Sequence, residues 1–263
     1  MDIFVCYKLT PEQKDIRISN GAVQTDQAEW SVGEYDLVAT EAAAQLATTV
    51  GWGVKGVSVG GMQLSNSRAR KNMLSRGCDE LILVQSPELE QADSHQTARA
   101  LADAVTETGG YGLIVCGEGS ADLYFRQVGI QLGELLGLPV INSIQKLVTI
   151  EDGVLVAERI NGSTVEVLEI PLPAVVSVTS DICKSRIPKM KEILQAGKKP
   201  VRELDAAGIR CKERGGETLG IKAPKAVERR GIVLDGTPEE MAEKLLAQLR
   251  KEGLLGGCVI WQR

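Results

Sequence analysis

Histidine is almost missing from this sequence. His95 is the only one in 263 residues. Chemistry that needs a histidine base, a Ser-His-Asp triad included, would have to run through that one side chain. It sits in "ADSHQTARAL", near an expected helix start, and reads as a surface residue. Paired cysteines are missing too. Cys6, Cys78, Cys116, Cys183, Cys211 and Cys258 are widely spread, with no C-x-x-C among them. With a single histidine this excludes the familiar zinc frameworks, and the thiols read as small residues in a reducing compartment. Aromatic residues make up only 3% of the chain, so the core must be built from Val, Leu, Ile and Ala. Positive charge is not in excess: the formal net charge is −5, which argues against general affinity for nucleic acid. No apolar run is long enough to span a bilayer. "MDIFVCYKL" reads directly as a strand, not as a basic-apolar leader. The expectation is a soluble cytoplasmic protein, without nucleic-acid partner or membrane insertion.

Regular alternation is what the sequence does have. Up to about Pro139, short apolar runs ("DIFVCYK", "GVKGVSVGG", "ELILVQS", "YGLIVCGEG") alternate with helical patterns at Tyr35–Thr48, Ser67–Arg76, Ser94–Thr108 and Asp122–Gly137. Uninterrupted apolar strands belong to a sheet buried on both faces, so the fold class is α/β, a mainly parallel sheet with helices on both faces. Asn20-Gly21 marks a hairpin between the first strand and the first helix. After residue 139 the chain is strand-rich, with turns at Glu151-Asp152-Gly153 and Asn161-Gly162. Antiparallel strands are expected there, and "AVVSVT" returns to the main sheet. A basic segment covers Asp181–Pro200. An aperiodic, charged stretch from Val201 to Arg230 reads as an extended arm or a linker, ahead of a last helix capped by the box Thr237-Pro238-Glu239-Glu240. The domain reading is residues 1–200 as the α/β domain and 201–263 as arm and helix.

The glycine turn "CGEGSAD" raises the question of a dinucleotide site. The fingerprint G-x-G-x-x-G is broken, because Asp122 stands in for the third glycine and Glu118 adds a second carboxylate. The motif also follows the fourth strand, not the first. A nicotinamide site is therefore disfavoured. Gly129 and Gly133, four apart, admit two readings: close helix packing, or approach of a ligand to the backbone with Gln127 and Gln131 as polar contacts.

Several segments in order resemble one family over nearly the whole chain. They are "VCYK", "EYDLVATEAA", "VSVGG", "RKNMLSRGCDELILV", "CGEGSADLYFRQVGIQLGELLGLP", "ERINGSTVEVLEIPLPAVVSVTSD" and "SRIPKMKEILQAGKKPV". Together they resemble the β subunit of electron transfer flavoprotein, in its FixA-like bacterial branch. The resemblance implies an electron-carrier subunit without catalytic residues of its own. It would bury an adenine nucleotide, AMP or a second FAD, and share the redox FAD with an α subunit. By position the implied contacts are Cys6, Gly33, Glu34, Tyr35, Asp36, Val59 and Asp122 through Gly133, with Gln127, Val128, Gly129 and Gln131 among them. Tyr35 stands where the family places an aromatic near the flavin. Bulky Leu123, Tyr124 and Phe125 depart from the small or acidic residues usual there, and Gly33-Glu34 replaces Asn-Pro.

The same resemblance makes the basic segment a docking loop for an acyl-CoA dehydrogenase-type partner. Met190 would be the apolar anchor, ringed by Lys184, Arg186, Lys189 and Lys191. The plain alternatives are a solvated lysine face and a Met packed in a helix core. For the whole chain they are a free-standing adenine-nucleotide domain and a nicotinamide enzyme.

Overall fold

The computed structural model describes residues 1–208, 218–225 and 230–255; Cys211 and Cys258, and parts of the expected arm, lie outside them. In chain order the elements are β1 (Asp2–Cys6), β2 (Leu9–Pro11), β3 (Arg17–Ser19), β4 (Ala22–Gln24), β5 (Trp30–Val32), α1 (Glu34–Val50), β6 (Gly53–Gly60), α2 (Ser67–Ser75), β7 (Glu80–Gln85), α3 (Ser94–Thr108) and β8 (Tyr111–Gly117). Then come α4 (Val128–Leu136), β9 (Val140–Ile144), β10 (Lys146–Glu151), β11 (Val154–Asn161), β12 (Thr164–Pro171), β13 (Ala174–Val178), α5 (Met190–Ala196), β14 (Val201–Leu204) and α6 (Pro238–Lys251).

Seven strands form one parallel sheet in the order β14-β7-β6-β1-β8-β13-β9. Successive residues of a strand point to opposite faces, and the burial follows that rule. Ile3 and Val5 of β1 join Val54, Leu81, Leu83 and Val115 beneath α1 and α2. Phe4 and Cys6 join Val57, Ile82, Val84 and Ile114 beneath α3 and α4. With few aromatics, alanines let helices lie close to the sheet: Ala39, Ala43 and Ala47 from α1, Ala98 and Ala102 from α3. AVVSV returns as an interior strand, β13. β10, β11 and β12 form an antiparallel sheet of their own, whose Leu155, Ala157 and Ile170 join the core on the α1 side.

The turns follow their residue chemistry. Asn20 and Gly21 both have positive φ (51° and 77°), the type I′ geometry that the twist of the β3–β4 hairpin requires. Asp152 and Gly153 repeat it between β10 and β11. The α3 helix begins with a capping box in which Asp93 and Gln96 satisfy each other's backbone.

Two compact units are distinguished, Met1–Lys222 and Ala223–Arg263. The sequence placed its boundary after residue 200, but Val201–Leu204 goes on to pair with β7 and completes the sheet edge. In the second unit α6 starts at the expected box, with Thr237 accepting from the Glu240 amide and Glu240 accepting from the Thr237 amide. Among the described residues no helix is long and apolar enough to cross a membrane.

Candidate functional site

In an open parallel sheet, ligands bind beyond the carboxyl ends of the strands, where the winding reverses. Here that point lies between β1 and β8, and a polar network is built on it. Asp36, in the first turn of α1, is buried and accepts the Lys8 amide at 2.8 Å and the Gly117 amide. Burial pushes its carboxyl up to about 7, against the pull of Lys8. The Lys8 ammonium reaches the other way and meets Asp122 Oδ2 at 2.6 Å. Partial burial is the largest single influence on Asp122 and opposes its ionisation, but the charge and hydrogen bond of Lys8, with donors from Ser120 and the Leu123 amide, together outweigh it and hold the carboxyl below its usual range. Lys8 thus ties the end of β1 to both α1 and the loop after β8. Below this network Cys6 and Cys116 are register neighbours, both buried, with their thiols in contact.

The glycine turn itself is filled by the chain's own atoms. A Cβ on Gly117 would lie 2.7 Å from Asp36 Oδ1 and 3.0 Å from the Tyr35 carbonyl carbon. One on Gly119 would lie 2.5 Å from the Tyr124 ring. These glycines permit close packing; they leave no cradle for a pyrophosphate.

The helix expected from Asp122 begins six residues later, at Val128. Tyr124 and Arg126 have positive φ (51° and 59°), which an α-helix does not allow, so Tyr124 lies outside the helix. Its ring rests against Tyr35, with centroids 5.2 Å apart, and Leu123, Tyr124 and Phe125 are exposed. Arg126 stands over the Tyr124 ring and reaches toward Ser143 Oγ (3.3 Å) and Glu118 (3.9 Å).

The start of α4 is open. Gln127 occupies the N-cap position without making a capping bond, so its side chain satisfies none of the first-turn amides. That side chain instead accepts from Ser94 Oγ at 2.7 Å, and Gln131 Nε2 donates to the same hydroxyl at 3.4 Å. Gln131 Oε1 is buried with no partner. The two helix glycines separate. A Cβ at Gly133 would run into Val140 and touch Val175, so Gly133 serves packing. At Gly129 a Cβ would meet only Cys116, at 3.5 Å, an ordinary contact, so packing does not require glycine there, and the residue is partly exposed.

Of the sequence-chosen contacts, Cys6, Gly33, Tyr35, Asp36, Asp122 and Gly129 converge on the crevice; Gly33 caps α1 against Ala121. Gln127, Val128 and Gln131 line the α4 start, Glu34 is exposed, and Val59 flanks at the end of β6, packed on the second core. Lys8, Ser94 and Glu118 were not chosen, although Lys8 lay within the quoted "VCYK"; Arg126 fell inside the range Asp122 through Gly133 without a role of its own.

In the basic segment Met190 is 71% exposed at the first position of α5, but Ile187 stands out further, at 89%. Lys184, Lys189 and Lys191 are exposed. Arg186 departs from the expected wet rim: it forms a two-pronged ion pair with the buried Glu41, at 2.5 and 3.2 Å. A guanidinium held that way is a strut, not a free docking charge.

The family model described as the electron transfer flavoprotein domain matches residues 21–208. That is more than half of the chain, and it spans the crevice from Gly33 onward as well as the basic segment.

Proposed function

The chain belongs to the electron transfer flavoprotein family, whose members carry electrons and are not enzymes in their own right, and from that premise we propose that it is the β subunit of a heterodimeric carrier, of the FixA-like branch. It buries AMP or a second FAD at the β1/β8 crevice. Together with a flavin-binding α subunit it shuttles electrons from a dehydrogenase, of the acyl-CoA type, to a further redox protein. Its compartment on this reading is the cytoplasm.

One observation carries the nucleotide reading: an uncapped helix start beside a buried, unpartnered acceptor. The α4 amides suit a phosphate, which also meets the positive end of the helix dipole. Gln131 Oε1 suits a donor such as a ribose hydroxyl or an exocyclic amine. Gly129, partly exposed, stands in the first turn of α4 beside these groups. The residues therefore fit an adenine nucleotide, and the filled glycine turn argues that it is not held in the dinucleotide-fingerprint manner. Bound FAD would supply reversible electron uptake. The protein's part is to hold and orient: Lys8 keeps Asp122 and Asp36 in place, and Tyr35 with Tyr124 forms an aromatic wall at the mouth.

The basic segment is the docking face of this proposal, with Ile187 and Met190 as apolar anchors and Lys184, Lys189 and Lys191 as the rim. The second unit, from Ala223 on, with α6 presenting Met241, Leu245 and Leu249 on one face, is proposed to pack on the α subunit.

Co-expression with a flavin-binding α subunit, followed by denaturation and identification of the released nucleotides, tests the reading. AMP with one FAD per heterodimer identifies a simple carrier, and two FAD a carrier that splits electron pairs. A well-folded chain that ignores the α subunit, or a heterodimer without adenine nucleotide in the β site, overturns it.

A further inference from the structure

The docking segment is exposed in its middle but tied down at both ends. At the front, Glu41 of α1 is only 6% exposed and accepts from Arg186 Nε (2.5 Å), Nη2 (3.2 Å) and backbone N (3.3 Å), and from Gln45 Nε2 (2.8 Å). Arg76, at the end of α2, donates to the Arg186 carbonyl. Side chain, amide and carbonyl of one residue are therefore all held. At the back, Lys199 Nζ donates to the Leu74 and Cys78 carbonyls at 2.9 and 2.6 Å, and Ala196 is buried. Between these ties Ile187, Met190 and Leu194 stand out at 89, 71 and 69% exposure.

A carboxylate buried in an alanine-rich helix loses its hydration, and an apolar residue would serve stability as well. What the ion pair adds is direction: a planar guanidinium gripped at two points fixes the backbone that carries it. We propose that Glu41 and Arg186 are positioning residues, which hold residues 187–195 in one geometry for docking an acidic-rimmed redox protein. The claim rests on the docking reading above. Its partner chemistry follows from the exposed Lys184, Lys189 and Lys191 around the apolar triad. An ordered platform loses less conformational freedom on binding than a loose loop does.

Three variants of the full chain, each co-purified with the α subunit, test it: Glu41→Gln, Arg186→Lys and, as a docking control, Ile187→Ala. Hydrogen exchange over 187–195 reads the order of the segment, and electron transfer from a reduced acyl-CoA dehydrogenase reads docking. Glu41→Gln and Arg186→Lys should speed exchange there and raise KM for the dehydrogenase about tenfold, with kcat within about twofold of wild type, because only the ordering cost changes. Bound nucleotide and salt dependence should stay as in wild type. Unchanged exchange over 187–195 overturns the positioning role. So does faster exchange with unchanged KM while Ile187→Ala raises KM, and there the docking reading survives. If Ile187→Ala also leaves KM unchanged, the docking reading fails and takes this proposal with it. Faster exchange throughout the chain in Arg186→Lys, which keeps the charge, would make the pair purely structural.

Discussion

Asp36 is an acid that the fold works against. Its carboxyl titrates at about 7 in the native chain, because burial outweighs its amide donors, against roughly 3.9 for an unfolded aspartate. Between those values the native state keeps a proton that the unfolded chain has released. Stability should therefore fall as pH rises through the window from about 4 to 7 and level off above it. Asp36→Asn should remove that slope, as a difference between urea midpoints of wild type and variant at pH 5 and pH 8; parallel curves would show that Asp36 titrates as an ordinary surface acid. Gly119 gives a second expectation. Gly119→Ala drives a methyl into the Tyr124 ring, at a cost of about 1–3 kcal/mol. Because the obstacle is one side chain, most of that cost should vanish in a Tyr124→Ala background, and a double-mutant cycle by denaturant melts measures the coupling.

At the level of elements, α4 shows both how far the sequence can be read and where it stops. Gly133→Ala would raise helix propensity by up to about 1 kcal/mol. The methyl would collide with Val140 of β9, however, and overpacking of about 1–3 kcal/mol wins. The variant should melt lower, and Val140→Ala should restore part of the loss. The sequence left packing and ligand approach open for this residue, since the choice depends on which strand lies opposite. The late start of α4 was illegible for another reason. Tyr124 falls four residues before Val128 and so imitates the spacing of one helix face, while positive φ at Tyr124 and Arg126 leaves no mark on non-glycine residues. By contrast α3 runs from Ser94 to Thr108 as read, because a cap and an uninterrupted period agree. The Glu41–Arg186 strut could not be read at all, since its partners lie 145 residues apart. On α5 and the turn before it, Ile187→Ala and Met190→Ala should each weaken partner binding by about 1–3 kcal/mol, measured as dehydrogenase-driven electron transfer, and leave the melt unchanged. Neutralising Lys189 and Lys191 should instead slow association and flatten its salt dependence.

For the whole molecule, the seven-stranded sheet and both core clusters lie within Met1–Lys222. A chain ended at Lys222 should keep a cooperative melt and the circular dichroism of the α/β unit, less the helical signal of α6, and on the reading above it should lose affinity for the α subunit; failure to fold would place part of the core beyond that point. The sheet order has a further consequence, in time. β1, which precedes the sheet's other strands in the chain, ends in the interior: Asp2 must find Gly53 on one side and Tyr111 on the other. At translation rates of roughly 5–20 residues per second, β1 waits about 5–20 s for its second neighbour. Through that interval one edge of β1, from Asp2 to Cys6, has no strand beside it. A topology so dependent on distant pairings refolds in milliseconds to seconds, not microseconds, and the nascent chain is most prone to aggregate before β8 leaves the ribosome.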